Sequence, residues 1–310
     1  MSISINSKKY KIVKELGQGG NGKVFQVTKD KQNYAIKKIP IEDLTEEEIS
    51  DIENEAKILS SIQNEHIVKY YDSYKDKENF YILMEFCEGS DLKKFINEYK
   101  KKGKDKKISE KIVFTIVYDI YLGIKEIHEK NLIHRDLKPE NLFISKDNRI
   151  KIGDFGISKQ LDFNNKYAKT SIGTNNYMAP EVVKGEKYNK KVDLWAFGCI
   201  IYELLTLKVC FRSKSLYGFV DNILKNNPEN IDSKFYNHKW QDLIDLLLKK
   251  DYKERPDIDG IYKMIMELNC EINSEKKGPR LNSKIFLIFI FIIVVVVGAS
   301  CVGKTCLVNR

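Results

Sequence analysis

Residues 133–156, IHRDLKPENLFISKDNRIKIGDFG, constrain this chain more than any other stretch. Leu142–Ile144 and Ile150–Ile152 are apolar-rich runs on either side of Ser145-Lys146-Asp147-Asn148-Arg149, a cluster of turn formers. Two short apolar runs around such a cluster predict an antiparallel hairpin. A hairpin brings the residue entering its first strand beside the residue leaving its second. Here those are Asn141 and Asp154, an amide oxygen and a carboxylate. Two hard oxygen donors side by side suit Mg²⁺, which keeps several waters and completes its shell with substrate phosphates. Just upstream, Asp136 and Lys138 lie two apart in an extended segment and so share a face. A proton acceptor and a cation next to a Mg²⁺ site are what phosphoryl transfer requires.

With 310 residues and 42% hydrophobic content, the chain holds enough apolar surface for one large domain or two smaller ones. A net charge of +9 raises nucleic acid or a membrane surface as partners. No basic stripe interleaved with aromatics is present, so abundant solvated lysine is the reading and no nucleic-acid partner is expected. The six cysteines show no CxxC pair and no histidines at zinc spacing. They read as reduced cytosolic thiols, and MSISINSKKY has no apolar core of a signal peptide.

His134-Arg135-Asp136, with Asn141 five residues past the aspartate and then Asp154-Phe155-Gly156, resembles the catalytic and metal loops of eukaryotic protein kinases. The resemblance implies an α+β bilobal fold, with a small β-rich N-lobe carrying one main helix and a large helical C-lobe. It covers about residues 10–270, divided into an N-lobe at 10–84, a hinge at 85–88 and a C-lobe at 89–270. It implies ATP and Mg²⁺ as cofactors, Asp136 and Lys138 as catalytic residues, and Asn141 and Asp154 as metal ligands. His134 is then structural, packing under Phe155.

Tyr10–Leu16 alternates as a strand and runs into Gly17-Gln18-Gly19-Gly20-Asn21-Gly22-Lys23-Val24. The glycines permit a tight turn whose amides approach phosphate oxygens. A dinucleotide-binding fold needs a helix next, whereas Val24–Val27 reads as a strand, so the kinase form of this loop fits, with Leu16 at its entrance. In Tyr34-Ala35-Ile36-Lys37, Ala35 and Lys37 share a strand face, and the resemblance puts Ala35 over adenine and Lys37 on the phosphates. Lys38 points the other way. Glu46–Ile62 reads as a helix with Ile49, Ile52, Ala56 and Leu59 on one stripe. The resemblance makes Glu55, in NEAKIL, the expected partner of Lys37; the competitor Glu53 lies about 160° away on the wheel.

Tyr81–Cys87 resembles the last N-lobe strand entering the hinge, with Met84 as gatekeeper and the backbone of Glu85 to Cys87 facing adenine. Ser90 or Asp91 caps a short helix, and Lys100–Lys107 reads as a solvated lysine-rich loop or, in the minority reading, a docking site for an acidic partner. Ser109 opens a long helix with a stripe from Ile112 to Ile127, and Val192–Leu207 is apolar nearly all round, as a buried central helix should be. Residues Trp240–Lys250 and Ile258–Leu268 supply the last helices. Between Ile157 and Glu181 lies the expected activation segment. There Thr170 and Ser171 stand where an upstream kinase, or a second copy in trans, phosphorylates relatives, and Arg135 with Lys159 would clamp that phosphate. Thr174 and Lys138 mark the serine/threonine type. Asn175 replaces the proline usual after Thr174, a departure bearing on peptide preference. By the same resemblance Asp193 bonds the catalytic-loop backbone and Arg255 pairs with Glu181, both as scaffold.

The expected linker at 271–284 precedes an unbroken apolar run from Ile285 to Val297, extending to Val302, near the lower length of a transmembrane helix. Overlapping it, Gly298-Ala299-Ser300-Cys301-Val302-Gly303-Lys304-Thr305 matches GxxxxGK[ST] and resembles the start of a Rab-like small GTPase. Five residues follow Thr305, too few for a nucleotide pocket, so no GTPase activity is expected. A tail anchor on a cytoplasmic kinase, a truncated GTPase strand and a gene-fusion or intron artefact are the three readings of this tail. The expected function is a serine/threonine protein kinase acting on protein hydroxyls, against a pseudokinase scaffold or a membrane-tethered GTPase-like switch. MEFCEGSDL and IKIGDFGISKQL look most like NIMA-related (Nek) kinases, while GQGGNGKVF and VKYYDSY also resemble kinases of initiation factor eIF2-alpha.

Overall fold

Six strands form one antiparallel sheet in the order β1-β2-β3-β4-β6-β5. These are β1 (Ser2–Ile5), β2 (Lys8–Gly19), β3 (Gly22–Lys29), β4 (Gln32–Pro40), β5 (Tyr70–Lys75) and β6 (Asn79–Glu85). The computed structural model describes residues 2–19, 22–103, 106–154, 176–213 and 215–274. Gly20, Asn21, Phe155, Lys159, Thr170, Ser171, Thr174, Asn175 and the whole tail, with its apolar run and P-loop-like motif, lie outside them.

Helix α1 (Glu46–Ser60) crosses from β4 to β5 and begins with a reciprocal cap: Glu48 N donates to Thr45 Oγ1, and Thr45 N donates to Glu48 Oε2. Its buried side carries Ile49, Ile52, Ala56 and Leu59, the expected stripe, together with Glu55. Glu53 points outward to Lys75 at 2.8 Å. The larger part is helical: α2 (Leu92–Lys101), α3 (Glu110–Glu129), the short α4 (Pro180–Val183), α5 (Lys191–Thr206), α6 (Leu216–Lys225), α7 (Lys239–Leu247) and α8 (Tyr262–Ser274). Asp91 caps α2 by accepting from Lys94 N, and Ser109 stands at the N-cap of α3 without a side-chain cap bond. In α5 every residue from Val192 to Leu205 is buried, which explains why its sequence is apolar on all sides. Between α3 and α4 stands a two-stranded ladder, β7 (Leu142–Ile144) and β8 (Ile150–Ile152), paired Leu142 to Ile152, Phe143 to Lys151 and Ile144 to Ile150. This is the hairpin expected from the turn formers between them.

The structure departs from expectation in several places. β1 and α6 were not anticipated. The last helix starts at Tyr262, after a 3-10 turn at Asp259–Ile261, and runs to Ser274, four residues into the expected linker. The lysine-rich loop is less free than its composition suggests: Lys100 bonds Glu203, Lys102 lies over the Tyr99 ring, and Lys107 pairs with Asp232. Among the described residues no helix is long and apolar enough to cross a membrane.

Candidate active site

The loop from α3 to the hairpin is held from below by one carboxylate. Asp193, at the start of α5, is buried, and it accepts from His134 N at 2.9 Å, Arg135 N at 3.0 Å and His128 Nε2 at 2.9 Å. Burial works to raise its pKa, but His128, His134 and the backbone donor overcome it, so the carboxyl titrates below its usual range. His134 is fully buried, and burial pushes its pKa down, so the ring is neutral at pH 7. Its tautomer follows from its partners. A carbonyl only accepts, so Nε2–H donates to Gly153 O at 3.1 Å, leaving Nδ1 to accept from Asp136 N at 3.3 Å. Arg135 adopts a left-handed φ of +66°, a strained turn that these bonds hold in place.

Asp136 is thereby fixed at both ends. Lys138 Nζ lies 2.8 Å from its Oδ2, and Asn141 Nδ2 donates to its carbonyl at 2.8 Å and its Oδ2 at 3.2 Å. Asn141 in turn accepts from Gly153 N at 2.9 Å through its own carbonyl, closing the mouth of the hairpin. Asp154 follows with φ +52°, turned back toward the sheet, where its Oδ1 meets Lys37 Nζ at 2.5 Å. The hairpin therefore links Asp136, Lys138 and Asn141 to Asp154, and Asp154 links them to Lys37.

One expected contact is replaced. Lys37 and Glu55 are both buried, yet they do not pair. Glu55 Oε2 accepts from Arg135 Nη1 at 3.2 Å, and Lys37 is given to Asp154. Lys37 and Glu55 have each taken an opposite charge from across the lobe boundary rather than one another. Glu55 Oε1 is left buried without a hydrogen-bond partner. Burial raises the Glu55 carboxyl, opposed by Arg135 and then by Lys37.

An apolar cluster spans the two lobes. Ala35, Val68 and Met84 are buried together, with Val24, Phe86, Cys87 and Phe143 packed around them, so both lobes contribute a wall. Strand register sets Ala35 opposite Met84, and Val24 opposite Lys37. The Glu85 side chain faces away, holding Lys151 at 2.8 and 2.9 Å, and its N–H donates to Lys69 O. Burial pushes the Cys87 thiol up to about 12, so it stays protonated. In the glycine-rich hairpin Gly17 faces Val24, Gln18 faces Lys23 and Gly19 faces Gly22, while Leu16 is exposed. Gly22 has φ +114°, and a Cβ there would stand 2.0 Å from Lys38 O, so only glycine fits. Lys38 lies over the Tyr81 ring. An apolar cluster from both lobes, a lysine beside it, an amide and a carboxylate as hard donors, and an orphaned buried oxygen on Glu55 together fit a nucleotide with Mg²⁺.

The protein kinase domain family matches residues 10–265. The chain belongs to the protein kinase family. It is 33% identical to mouse serine/threonine-protein kinase Nek1 over 256 residues, covering 82% of this chain and 21% of that protein. Human serine/threonine-protein kinase Nek5 is 34% identical over 258 residues, 82% of this chain and 36% of its own length. A Dictyostelium discoideum serine/threonine-protein kinase named nek2 is 34% identical over 259 residues, 81% of this chain and 61% of its own. This kinase chain thus spans between about a fifth and three fifths of the length of these relatives, and its tail lies outside the matched span.

Of the scaffold around the kinase site, one pair was singled out from sequence and one buried acid was not. Arg255 and Glu181 form the expected buried, two-pronged pair at 2.7 Å per contact. Glu203 was overlooked. It is a fully buried acid in the apolar α5, bonded by Lys93, Lys100 and Tyr177. A lone glutamate inside an otherwise apolar buried helix was the available signal, since a buried charge requires partners.

Proposed function

We propose that this chain is a serine/threonine protein kinase of the Nek type, transferring the γ-phosphoryl group of ATP to hydroxyls of protein substrates. The observation that carries this reading is the closure of the Asp136–Lys138–Asn141 cluster onto Asp154 and Lys37 through one short hairpin. Bound Mg²⁺-ATP supplies the phosphoryl group and neutralises charge on its oxygens. Asp136 orients the incoming hydroxyl and accepts its proton. Lys138, already 2.8 Å from that carboxylate, offers a positive charge to the γ-phosphoryl oxygens while the bond from phosphorus to the oxygen of the departing ADP breaks and the bond to the substrate hydroxyl oxygen forms. Asn141 and Asp154 would hold the metal: both amide-hydrogen contacts of Asn141 go to Asp136, which turns its amide oxygen the other way. Ala35, Val68, Met84 and Phe143 would clamp the base, with the Gly17–Val24 hairpin over the phosphates.

Lys37 and Glu55 belong to the same reading. The orphaned Glu55 Oε1 offers Lys37 a second partner, so an exchange from Asp154 to Glu55 leaves Asp154 for the metal. Arg135, released from Glu55, is then available to a phosphate on Thr170 or Ser171, placed there by an upstream kinase or by a second copy in trans. For the apolar run after Ile285 we propose a tail anchor holding a cytoplasmic kinase domain at a membrane. Pelleting that resists carbonate and disappears on deleting residues 285–310 supports the anchor; unchanged pelleting overturns it. The activity is tested with labelled ATP and a generic protein substrate. Phosphoserine and phosphothreonine are the expected products, and incorporation that survives Asp136→Asn removes the assignment.

A further inference from the structure

The charge network around Glu203 runs into the catalytic surface. Lys93 Nζ, from the second residue of α2, lies 3.3 Å from Glu203 Oε1, 3.3 Å from Tyr177 Oη and 3.7 Å from Glu140 Oε1. Lys100, two turns along the same helix, adds a second ammonium to Glu203 Oε1 at 3.0 Å, and the Tyr177 hydroxyl donates to Oε2. Burial works to raise the Glu203 carboxyl; Tyr177 and the two lysines overcome it and keep it ionised. The hydroxyl of Tyr177 is driven far above its usual pKa by burial and by that carboxylate, so it remains a donor.

The location matters as much as the charge balance. Glu140 stands in the Pro139–Asn141 turn, two residues beyond Lys138 and next to the Asn141 that braces Asp136. Tyr177 is two residues before Ala179, where the activation segment closes onto α4. Moving outward from Asp136, the surface is therefore Lys138, then Glu140, then Lys93, with Glu203 beneath. Lys93 and Glu140 keep part of their side chains in solvent, 24% and 44%, whereas Glu203 has none. A polypeptide that sets a hydroxyl on Asp136 must lay its neighbouring residues across this surface.

We propose that Lys93 is a specificity-determining residue that fills, from within the chain, an acidic subsite which would otherwise take an arginine or lysine of the substrate. With Lys93 in place, two carboxylates meet two ammonium groups and the patch is neutral. Without it the patch carries one net negative charge, with Glu140 unpaired at the rim and a lysine-sized channel leading to Glu203. A substrate guanidinium has the length and the hydrogen-bonding geometry to occupy that channel. The native chain accordingly prefers uncharged or acidic residues where the substrate covers Lys93, and tolerates arginine there poorly. This inference rests on the protein-kinase reading above.

The test uses the full-length chain and a positional peptide library around a fixed serine, with arginine, alanine or glutamate at each flanking position. The native enzyme is expected to show no preference for arginine at any position on the Lys93 side. Lys93→Met, which keeps most of the aliphatic volume, is expected to raise kcat/KM for arginine over alanine by about tenfold at one position. Adding Glu140→Gln should reduce that gain, and Lys93→Arg should keep the native profile. An unchanged profile in Lys93→Met, or arginine selection by the native enzyme at that position, overturns the proposal. Thermal unfolding of Lys93→Met is recorded alongside, and Lys93→Gln replaces it should the apolar substitution fail to fold. If the native chain phosphorylates no peptide, the kinase reading fails separately. Anisotropy with the same labelled peptides then decides: arginine-dependent binding to Lys93→Met but not to the native chain supports the subsite, and equal binding overturns it.

Discussion

The catalytic loop and the Lys37–Glu55 region meet through two ion pairs but are built in opposite ways. Below, each polar atom of His134, Asp136 and Asn141 described above has a partner within this trio or on Asp193, Gly153 or Lys138. Above, Glu55 carries an orphaned oxygen, Arg135 holds the carboxylate expected for Lys37, and Lys37 holds Asp154 instead. A saturated network has one arrangement. A region with four charges and two ways of pairing them has two, and ligand charge decides between them. The lower half is thus built to hold geometry, the upper half to respond.

The largest break in that contrast comes from Asp136→Asn. It removes the proton acceptor but keeps an acceptor oxygen for Lys138, so kcat should fall by roughly 10²–10⁴-fold while the dissociation constant for ATP hardly moves. Next is Asp193→Ala, which strands two backbone N–H groups and the His128 ring. Urea titration should show a loss of about 3 kcal/mol or more, with catalysis falling together with stability. Glu55→Gln acts on the responsive half: the KM for ATP should rise by about tenfold, with stability unchanged or slightly improved, because the native carboxylate is only partly satisfied. Stability lost on the scale of the Asp193 variant would show that the upper half is as rigidly determined as the lower.

The smallest expected effect is in pH, and its sign differs between the halves. Asp193 has a depressed folded pKa, so its contribution is fully present above the ordinary value of 3.8 and is lost as pH falls through the folded value. Glu55 has a raised folded pKa, so the folded chain binds its proton first. Its contribution to stability therefore grows as pH falls from the folded value toward 4.5. Denaturant midpoints measured from pH 7 down to 4.5 should show this rise in the native chain, and Glu55→Gln should flatten it. A rise that persists in the variant assigns it elsewhere.

What could be read from sequence follows the same division. The hairpin, its register and the residues at its mouth are local, set by turn formers between two apolar runs, and the sequence carries them openly. The buried stripe of α1 and the all-round apolar α5 are periodic and equally plain. The partner of Glu55 is not local. It depends on which of two cations, distant in sequence, stands closer once the lobes are joined, and no spacing rule encodes that. β1 was missed for a different reason: Ser2-Ile3-Ser4-Ile5 alternates over only four residues before Asn6-Ser7 turns the chain, a signal too short to weigh without its neighbour strand. Glu203 was legible as a problem, a charge in an apolar helix, but its solution lies on α2 and at Tyr177.

That extra strand has a mechanical consequence. β1 pairs only with Lys8–Lys11, the root of β2, whereas the ladder between β2 and β3 slips register between Ile12 and Lys14 and again between Glu15 and Gly17. The glycine-rich hairpin is therefore a lever whose base is clamped by a third strand and whose two bulges lie just beyond the clamp. Any bend of β2 and β3 falls at those bulges, between the clamp and Gly17, and leaves the sheet from which they spring intact.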